Sequence, residues 1–200
     1  MEKKQDPKIR LMIYSTIMSI QIRAALETDT PAILDVVLSA FGNEQGQEIA
    51  DLIIDLLNDR SAQPVISLVA TTNNRVVGHV LFTSTRLKQS QQIFSSAILA
   101  PLSVHSDYQH QGIGGKLIQG GLNLLQAMGV GLVFVLGHPG YYPKYGFVAA
   151  GTRGFEAPYP IPPEHADAWM VQDLKPGIIG SVLGKVECAD TLNDPKHWQE

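Results

Sequence analysis

A chain of 200 residues with 44% hydrophobic and 17% charged residues can bury a real core in one domain and is too apolar to be disordered. Its net charge of −4, with no basic patch beyond the N-terminus, argues against a nucleic-acid partner. The single cysteine, Cys188, excludes an internal disulfide framework, suits a reducing cytoplasmic setting, and reads as a partly buried structural thiol.

Lys3, Lys4, Lys8 and Arg10 precede the apolar run 11–20, which imitates a signal peptide. The run is too short to span a bilayer, and Gln21 and Arg23 follow it in place of a small-residue cleavage site. Residues 1–18 therefore read as an extension, with Met18 as a natural start. Residues 19–190 read as one domain and 191–200 as a tail. No membrane partner is expected.

Ile20 to Ala24 alternates apolar and polar residues as a half-buried strand does. Asp29-Thr-Pro31 reads as a helix start, with Asp29 as the capping side chain. Ile33, Leu34, Val37, Leu38 and Phe41 then recur at helical spacing until Gly42. A second amphipathic helix buries Ile49, Leu52, Ile53, Leu56 and Leu57, leaving Asp51, Asp55 and Asp59 on a solvated face. Val65–Thr71 and Val76–Ser84 form a hairpin about the turn Thr72–Arg75. Ser95–His105 is a strand interrupted by Pro101, where the ladder must bulge or break because proline has no N–H. A later helix carries Leu117, Ile118, Leu122, Leu125 and Met128 inward and ends at Gly129. Leu132–Leu136 is continuously apolar, as a strand buried on both faces must be. A short helical turn at Tyr141–Tyr145, a strand at Phe147–Ala150, an irregular segment at Ala157–Pro163 and a last strand at Trp169–Leu174 follow. This alternation implies a mixed α/β sheet.

The junction between strand and helix carries the chemistry. Leu99-Ala-Pro-Leu-Ser-Val-His105 runs into Gln109-His-Gln-Gly112-Ile-Gly114-Gly115-Lys116. Glycines let a ligand approach, and the free N–H groups and positive dipole end of the helix make an anion site suited to a pyrophosphate. The dinucleotide fingerprint fails, because its third glycine falls on Leu117. The P-loop fails as well, since Leu117 stands where Ser or Thr would bind magnesium and His110 where the first glycine belongs. Both failures argue against a nucleotide-dependent kinase or NTPase.

Gln109-x-x-Gly112-x-Gly114 after a strand resembles the acetyl-CoA-binding motif of the GNAT family of N-acetyltransferases. Tyr142-Pro-Lys-Tyr-Gly146-Phe147 resembles the Tyr-x-x-x-Gly-Phe pattern that ends the GNAT core. Leu-x-Pro-Leu-x-Val-His followed by Gly-His-Pro-Gly-Tyr-Tyr-Pro is most similar to the YhbS-like branch, and the resemblance runs from about Ile20 to Cys188.

The resemblance implies a single-domain GNAT fold. Its mixed, mostly antiparallel sheet is flanked by helices and has splayed fourth and fifth strands, with acetyl-CoA lying between them as cosubstrate. Backbone groups of Leu102, Ser103 and Val104 would pair with the pantetheine arm, one N–H polarising the thioester carbonyl. Gln109, His110, Gln111, Gly112, Ile113, Gly114, Gly115 and Lys116 would hold the pyrophosphate. Tyr142 matches the family's general acid. An amine would attack the acetyl group directly, with no metal and no covalent enzyme intermediate. A small-molecule or peptide amine is the expected acceptor, and a homodimer is compatible with the family.

Two features depart from the family pattern. No acid stands on the strand Ser95–Ser103, so His105, His138 or ordered water must serve as base, while His79 reads as structural. The segment Leu136-Gly-His-Pro-Gly-Tyr-Tyr142 is shortened and lacks an asparagine common in the family; His138 reads there as a cap for the short helix. Acceptor selection is expected from the region Phe41 to Glu44 and from the proline-rich segment. The glycine corner suits a second reading equally, a non-catalytic acyl-CoA-binding sensor or regulatory module.

Overall fold

The computed structural model describes residues 19–88 and 94–198; the N-terminal extension lies outside the described residues. Four strands form an antiparallel run in chain order: β1 (Gln21–Ala24), β2 (Ile66–Thr72), β3 (Arg75–Leu87) and β4 (Ser96–Val104). Asn73 and Asn74 join β2 to β3 with φ of 47° and 61°. Asparagine tolerates this left-handed backbone, and such turns match the twist of a hairpin. β5 (Leu132–Leu136) lies parallel to β4. The two-residue β6 (Val148–Ala149) and β8 (Trp169–Asp173) complete the sheet, in the order β1-β2-β3-β4-β5-β8-β6.

β8 is not the last strand. β9 (Gly184–Glu187) pairs with the far end of β3 at Arg86 and Leu87, and with the two-residue β7 (Phe155–Glu156). Within β9 only Val186 is buried, so no alternation marks it in sequence. β3 accordingly extends past Ser84 to Leu87.

Among the described residues, three α-helices cover the sheet: α1 (Thr30–Phe41), α2 (Asn43–Asn58) and α3 (Ile113–Ala127). Ile113, Leu117, Ile118, Leu122 and Leu125 of α3 pack with Leu68, Val80 and Phe82 of the sheet. Ile33, Val36 and Val37 of α1 meet Ala50 and Ile53 of α2 in a separate cluster with Val69. Met128 does not join the inner stripe and is 49% exposed, because the helix has ended by then.

Asp29 does not cap α1. It adopts helical backbone angles, and its carboxylate accepts from Arg23 through both oxygens, at 2.6 and 2.8 Å, and from the N–H of Leu26 at 2.8 Å. A bidentate guanidinium is a stronger partner than a single helix N–H. The Arg23 hydrogen bonds hold the Asp29 pKa down at about 2.

Asp59 is not on a wet face either. One oxygen accepts from the N–H and hydroxyl of Ser61, at 2.7 and 2.6 Å; the other accepts from those of Thr191, at 2.9 and 2.8 Å. Burial works to raise its pKa, but these hydrogen bonds outweigh it and hold the pKa at about 2. Asp59 thus fastens the C-terminal segment to the end of α2. Both folded-state values lie below the ordinary carboxyl pKa of about 4. The stability they contribute is full above that value and is lost as pH falls toward about 2. Asp59→Ala should cost about 1–3 kcal/mol and lower the Tm by roughly 5 °C at neutral pH. It should also flatten the acid limb of the stability curve, both read by thermal melts across pH.

Of the segment 191–200 that the sequence sets off as a tail, residues 191–198 are described, and Leu192 and Trp198 are buried. Trp198 is 2% exposed, stands edge-on to Trp169 at 5.7 Å and donates to Leu192 O at 2.9 Å. Trp169 in turn stacks on Phe134 of β5 at 5.3 Å. Cys188 is half-buried, and burial pushes its thiol up to about 12, as an inert structural cysteine requires.

Candidate functional site

The site begins where two parallel strands part. β4 and β5 pair only from Ser96–Leu132 to Leu99–Val135, after which β4 continues without β5. At that point Ala100 and Pro101 both stand opposite Leu81, a two-against-one bulge between the pairs Leu99–Phe82 and Leu102–Val80. The bulge falls at the expected proline, but it does not free the residues after it. Leu102, Ser103 and Val104 resume pairing with Val80, His79 and Gly78. What frees backbone groups is the splay.

The N–H of His105 donates to Val77 O at 3.0 Å. Antiparallel pairs alternate between bonded and non-bonded, so the backbone of Ser103 is turned to β3, while those of Leu102 and Val104 are turned to the gap. Val104 O already accepts the Gln109 side-chain amide at 3.1 Å. Gln109 therefore closes the loop onto β4, and Gln111 similarly donates to Asp107 O at 3.3 Å.

The glycine corner closes the same end of the gap. His110 and Gly112 have φ of 60° and 76°, and Gly112 is the residue before the first turn of α3. The N–H of Lys116 donates to Gly112 O, so those of Ile113, Gly114 and Gly115 precede the helix ladder. A Cβ on Gly112 would meet nothing within 4 Å. Gly114 and Gly115 differ, because the hydroxyls of Tyr141 and Tyr145 lie against them. These two glycines make room for phenols of this chain as well as for a ligand. Tyr141 is half-buried, and its pKa is raised by burial first and by Tyr145 second. Lys116 is exposed.

Tyr142 opens the 3-10 turn Tyr142–Tyr145 that follows β5. It is 8% exposed, edge-on to Tyr141 at 5.3 Å and to Phe147 at 5.7 Å. A side chain at Gly137 would come within 2.5 Å of its ring, so that glycine seats the tyrosine. Tyr142 lines a cavity of about 950 Å³, together with the bulge at Leu99–Pro101 and Leu136 at the end of β5. The rest of the lining comes from Phe41, from α2 and its end, and from residues of the C-terminal segment Asp190–Trp198. One region thus joins a strand edge turned to a gap, a helix N-terminus and a tyrosine beside a ligand-sized cavity.

Residues 21–150 match the acetyltransferase (GNAT) domain. The chain belongs to the GNAT acetyltransferase family. It is 44% identical over 165 residues to an uncharacterized N-acetyltransferase, YjhQ, of Escherichia coli K12, covering 82% of this chain and 89% of YjhQ. YhbS of the same organism is 28% identical over 173 residues, covering 86% of this chain and 98% of YhbS. The crystal structure of E. coli YhbS in complex with CoA aligns with a TM-score of 0.79, covering 90% of this chain and 95% of that one. A GNAT acetyltransferase of Brucella melitensis in complex with acetyl-CoA aligns with a TM-score of 0.68 at 25% identity, over 88% and 99% of the two chains. The mixed sheet with its splayed fourth and fifth strands is the GNAT fold, and the YhbS-like branch is the one these relatives support.

Several GNAT expectations meet a different local geometry. The ring nitrogens of His105 lie 3.1 Å from the Arg75 guanidinium and 3.2 Å from the N–H of Asp107. His138 does not cap the helical turn; its Nδ1 accepts from Gly140 N at 3.0 Å and closes the bend before Tyr141. Neither histidine lines the cavity. His79 is fully buried, burial lowers its pKa to about 4, and its Nε2 lies 2.9 Å from Ser67 Oγ, as a structural neutral histidine would.

Phe41 lines the cavity, but the proline-rich segment does not. Ala157, Tyr159 and Pro160 instead line a smaller cavity of about 300 Å³ beside Trp169. The residues that sequence reasoning missed are Glu48 of α2 and His197 and Trp198 of the terminal segment. Glu48 falls in a helical stripe that could have been read; the terminal segment has no sequence signal that would bring it there.

Proposed function

We propose that this chain transfers the acetyl group of acetyl-CoA to a primary amine, by direct attack in a ternary complex in the cytoplasm. The observation that carries this reading is the gap between β4 and β5, with the glycine corner at one end and Tyr142 beside the cavity. The residues present fit the cosubstrate. Backbone edges of Leu102 and Val104 suit the amides of a pantetheine arm, and the first turn of α3 suits a pyrophosphate.

The N–H groups turned to the gap polarise the thioester carbonyl and stabilise the negative charge that grows on its oxygen. Gln109 to Lys116 hold the pyrophosphate through the corner backbone, Gly112 giving it the turn it needs. The acceptor enters from the cavity. An alkylamine has a pKa near 10, so it first loses a proton to water. Its nitrogen then bonds to the carbonyl carbon as the C–S bond breaks. Tyr142 gives its hydroxyl proton to the departing sulfur and is reprotonated by the proton that leaves the amine through water. His105 and His138 stand away from this path, which supports water as the base.

Calorimetric titration with acetyl-CoA, followed by an amine panel with a thiol-release readout, tests the reading. Binding with amine-dependent CoA release is expected. Binding without turnover of any amine would favour the sensor module. Absence of binding would mean that the glycine corner does not hold a pyrophosphate.

A further inference from the structure

We propose that His197 is the proton acceptor for the incoming amine: its imidazole takes, through one water, the proton that the acceptor's ammonium group must lose before it attacks. This assignment rests on the acetyltransferase reading and names the group behind the water in that reaction.

The reaction needs a base, and β4 offers none, having neither an acid nor a histidine between Ser96 and Val104. Of the chain's 6 histidines, all among the described residues, His197 alone lines the cavity in which Tyr142 stands. Its ring also differs from the others. Ring nitrogens of His79, His105 and His138 are engaged, by Ser67, by Asp107 N and by Gly140 N. Among the described residues the His197 imidazole has no hydrogen-bond partner, which leaves both nitrogens open to water and to a proton.

The segment that carries it is fixed on either side. Trp198 donates to Leu192 O and stands edge-on to Trp169. Trp169 pairs with Leu136, the last residue of β5, and Leu136 lines the cavity with Tyr142. Upstream, His197 N–H donates to Asp194 O at 3.1 Å, and Asp59 holds Thr191. These are backbone and neighbour contacts, so the imidazole takes no part in holding the segment.

The charges around the ring suit a base. Lys196 Nζ lies 3.5 Å from Asp194 Oδ2. Burial, and next Lys196, lower the pKa of half-buried His197, while Asp194 and Glu48 of α2 pull less strongly the other way. The ring is therefore neutral near pH 7, and those two carboxylates favour the imidazolium it becomes. Asp51, Asp55, Asp59 and Asp190 also line the cavity. A carboxylate, with an ordinary pKa near 4, is a much weaker base than an imidazole.

The protons balance. The ammonium gives its first proton to a water, which passes one of its own to His197, and the imidazolium later releases it to solvent. The freed lone pair forms the C–N bond as the C–S electrons leave on sulfur. The second proton leaves nitrogen through water to restore Tyr142, which has protonated the thiolate. Nothing is oxidised or reduced.

Steady-state kinetics across pH, with acetyl-CoA and the panel amine that releases CoA fastest, tests this in the wild type and in His197→Gln. Wild-type kcat should fall on the acid side through a midpoint below histidine's ordinary value of about 6.5, since the ring accepts no proton once it carries one. His197→Gln should lower kcat/KM about tenfold or more near neutral pH. The loss should shrink toward pH 10, roughly where an alkylamine is already uncharged in water, and imidazole in the buffer should restore part of it. The Tm and acetyl-CoA affinity should stay at their wild-type values. Unchanged turnover and pH profile in His197→Gln overturn the assignment. A loss that is equal at every pH and that imidazole does not restore overturns it too, and marks a packing role. Should the variant melt at lower temperature, His197→Asn and the acid limb of the wild type decide. Wild-type protein that binds acetyl-CoA but releases CoA with no amine fails the acetyltransferase reading itself, and this assignment with it.

Discussion

Tyr142→Phe is expected to lower kcat by about 100-fold or more while leaving acetyl-CoA affinity within about twofold, the usual size of a lost general acid. The ring is held by contacts that phenylalanine keeps, the edge-on neighbours Tyr141 and Phe147 and the absence of a side chain at Gly137. Only the hydroxyl changes, so a loss in kcat reports on the proton it supplies. The effect should be smaller with an acyl donor whose thiol leaves readily, because a better leaving group needs less protonation. Steady-state kinetics with two thioesters reads both. Unchanged kcat would remove Tyr142 from the reaction and leave it as a packing residue.

Gly112→Glu should weaken acetyl-CoA binding by about 100-fold or more, since it sets a negative charge at the positive end of α3. Gly112 has φ of 76°, and a Cβ added there meets nothing within 4 Å. A non-glycine residue in this left-handed conformation costs about 1–2 kcal/mol. Gly112→Gln carries the same backbone cost without the charge, so the difference in affinity between the two variants isolates the electrostatic part. Gly114→Glu is expected to abolish binding too, but there the new side chain would displace the Tyr141 hydroxyl and mix repacking with site loss. Calorimetry that finds wild-type affinity in Gly112→Glu would show that no pyrophosphate sits at this corner.

The site was legible where its chemistry is local. A strand leading into Gln109-x-x-Gly112-x-Gly114 declares a helix N-terminus, and Pro101 declares a bulge. Both are backbone effects over a few residues, and both stand where the sequence puts them. The same local logic misled at Asp29 and Asp59. Each has the residue type and position of a cap or a wet face, but a partner outside the helix, Arg23 of β1 or Thr191 of the C-terminal segment, gives its carboxylate two hydrogen bonds where a helix N–H would give one. Leu102, Ser103 and Val104 look alike in sequence. Only the pairing phase against β3 turns Leu102 and Val104 to the gap and Ser103 away from it.

The residues by themselves determined the alternation of strands and helices, the glycine corner and the tyrosine after β5, because these follow from side-chain periodicity, proline's missing N–H and glycine's backbone freedom. Tertiary structure alone decided what surrounds them. β9 joins the end of β3, and Asp59 and Trp169 bring residues 190–198 to the lining of the cavity beside Tyr142. Contacts between residues far apart in the chain leave no periodic trace, since they depend on which surfaces the whole fold brings together and on which partner satisfies each buried polar group best.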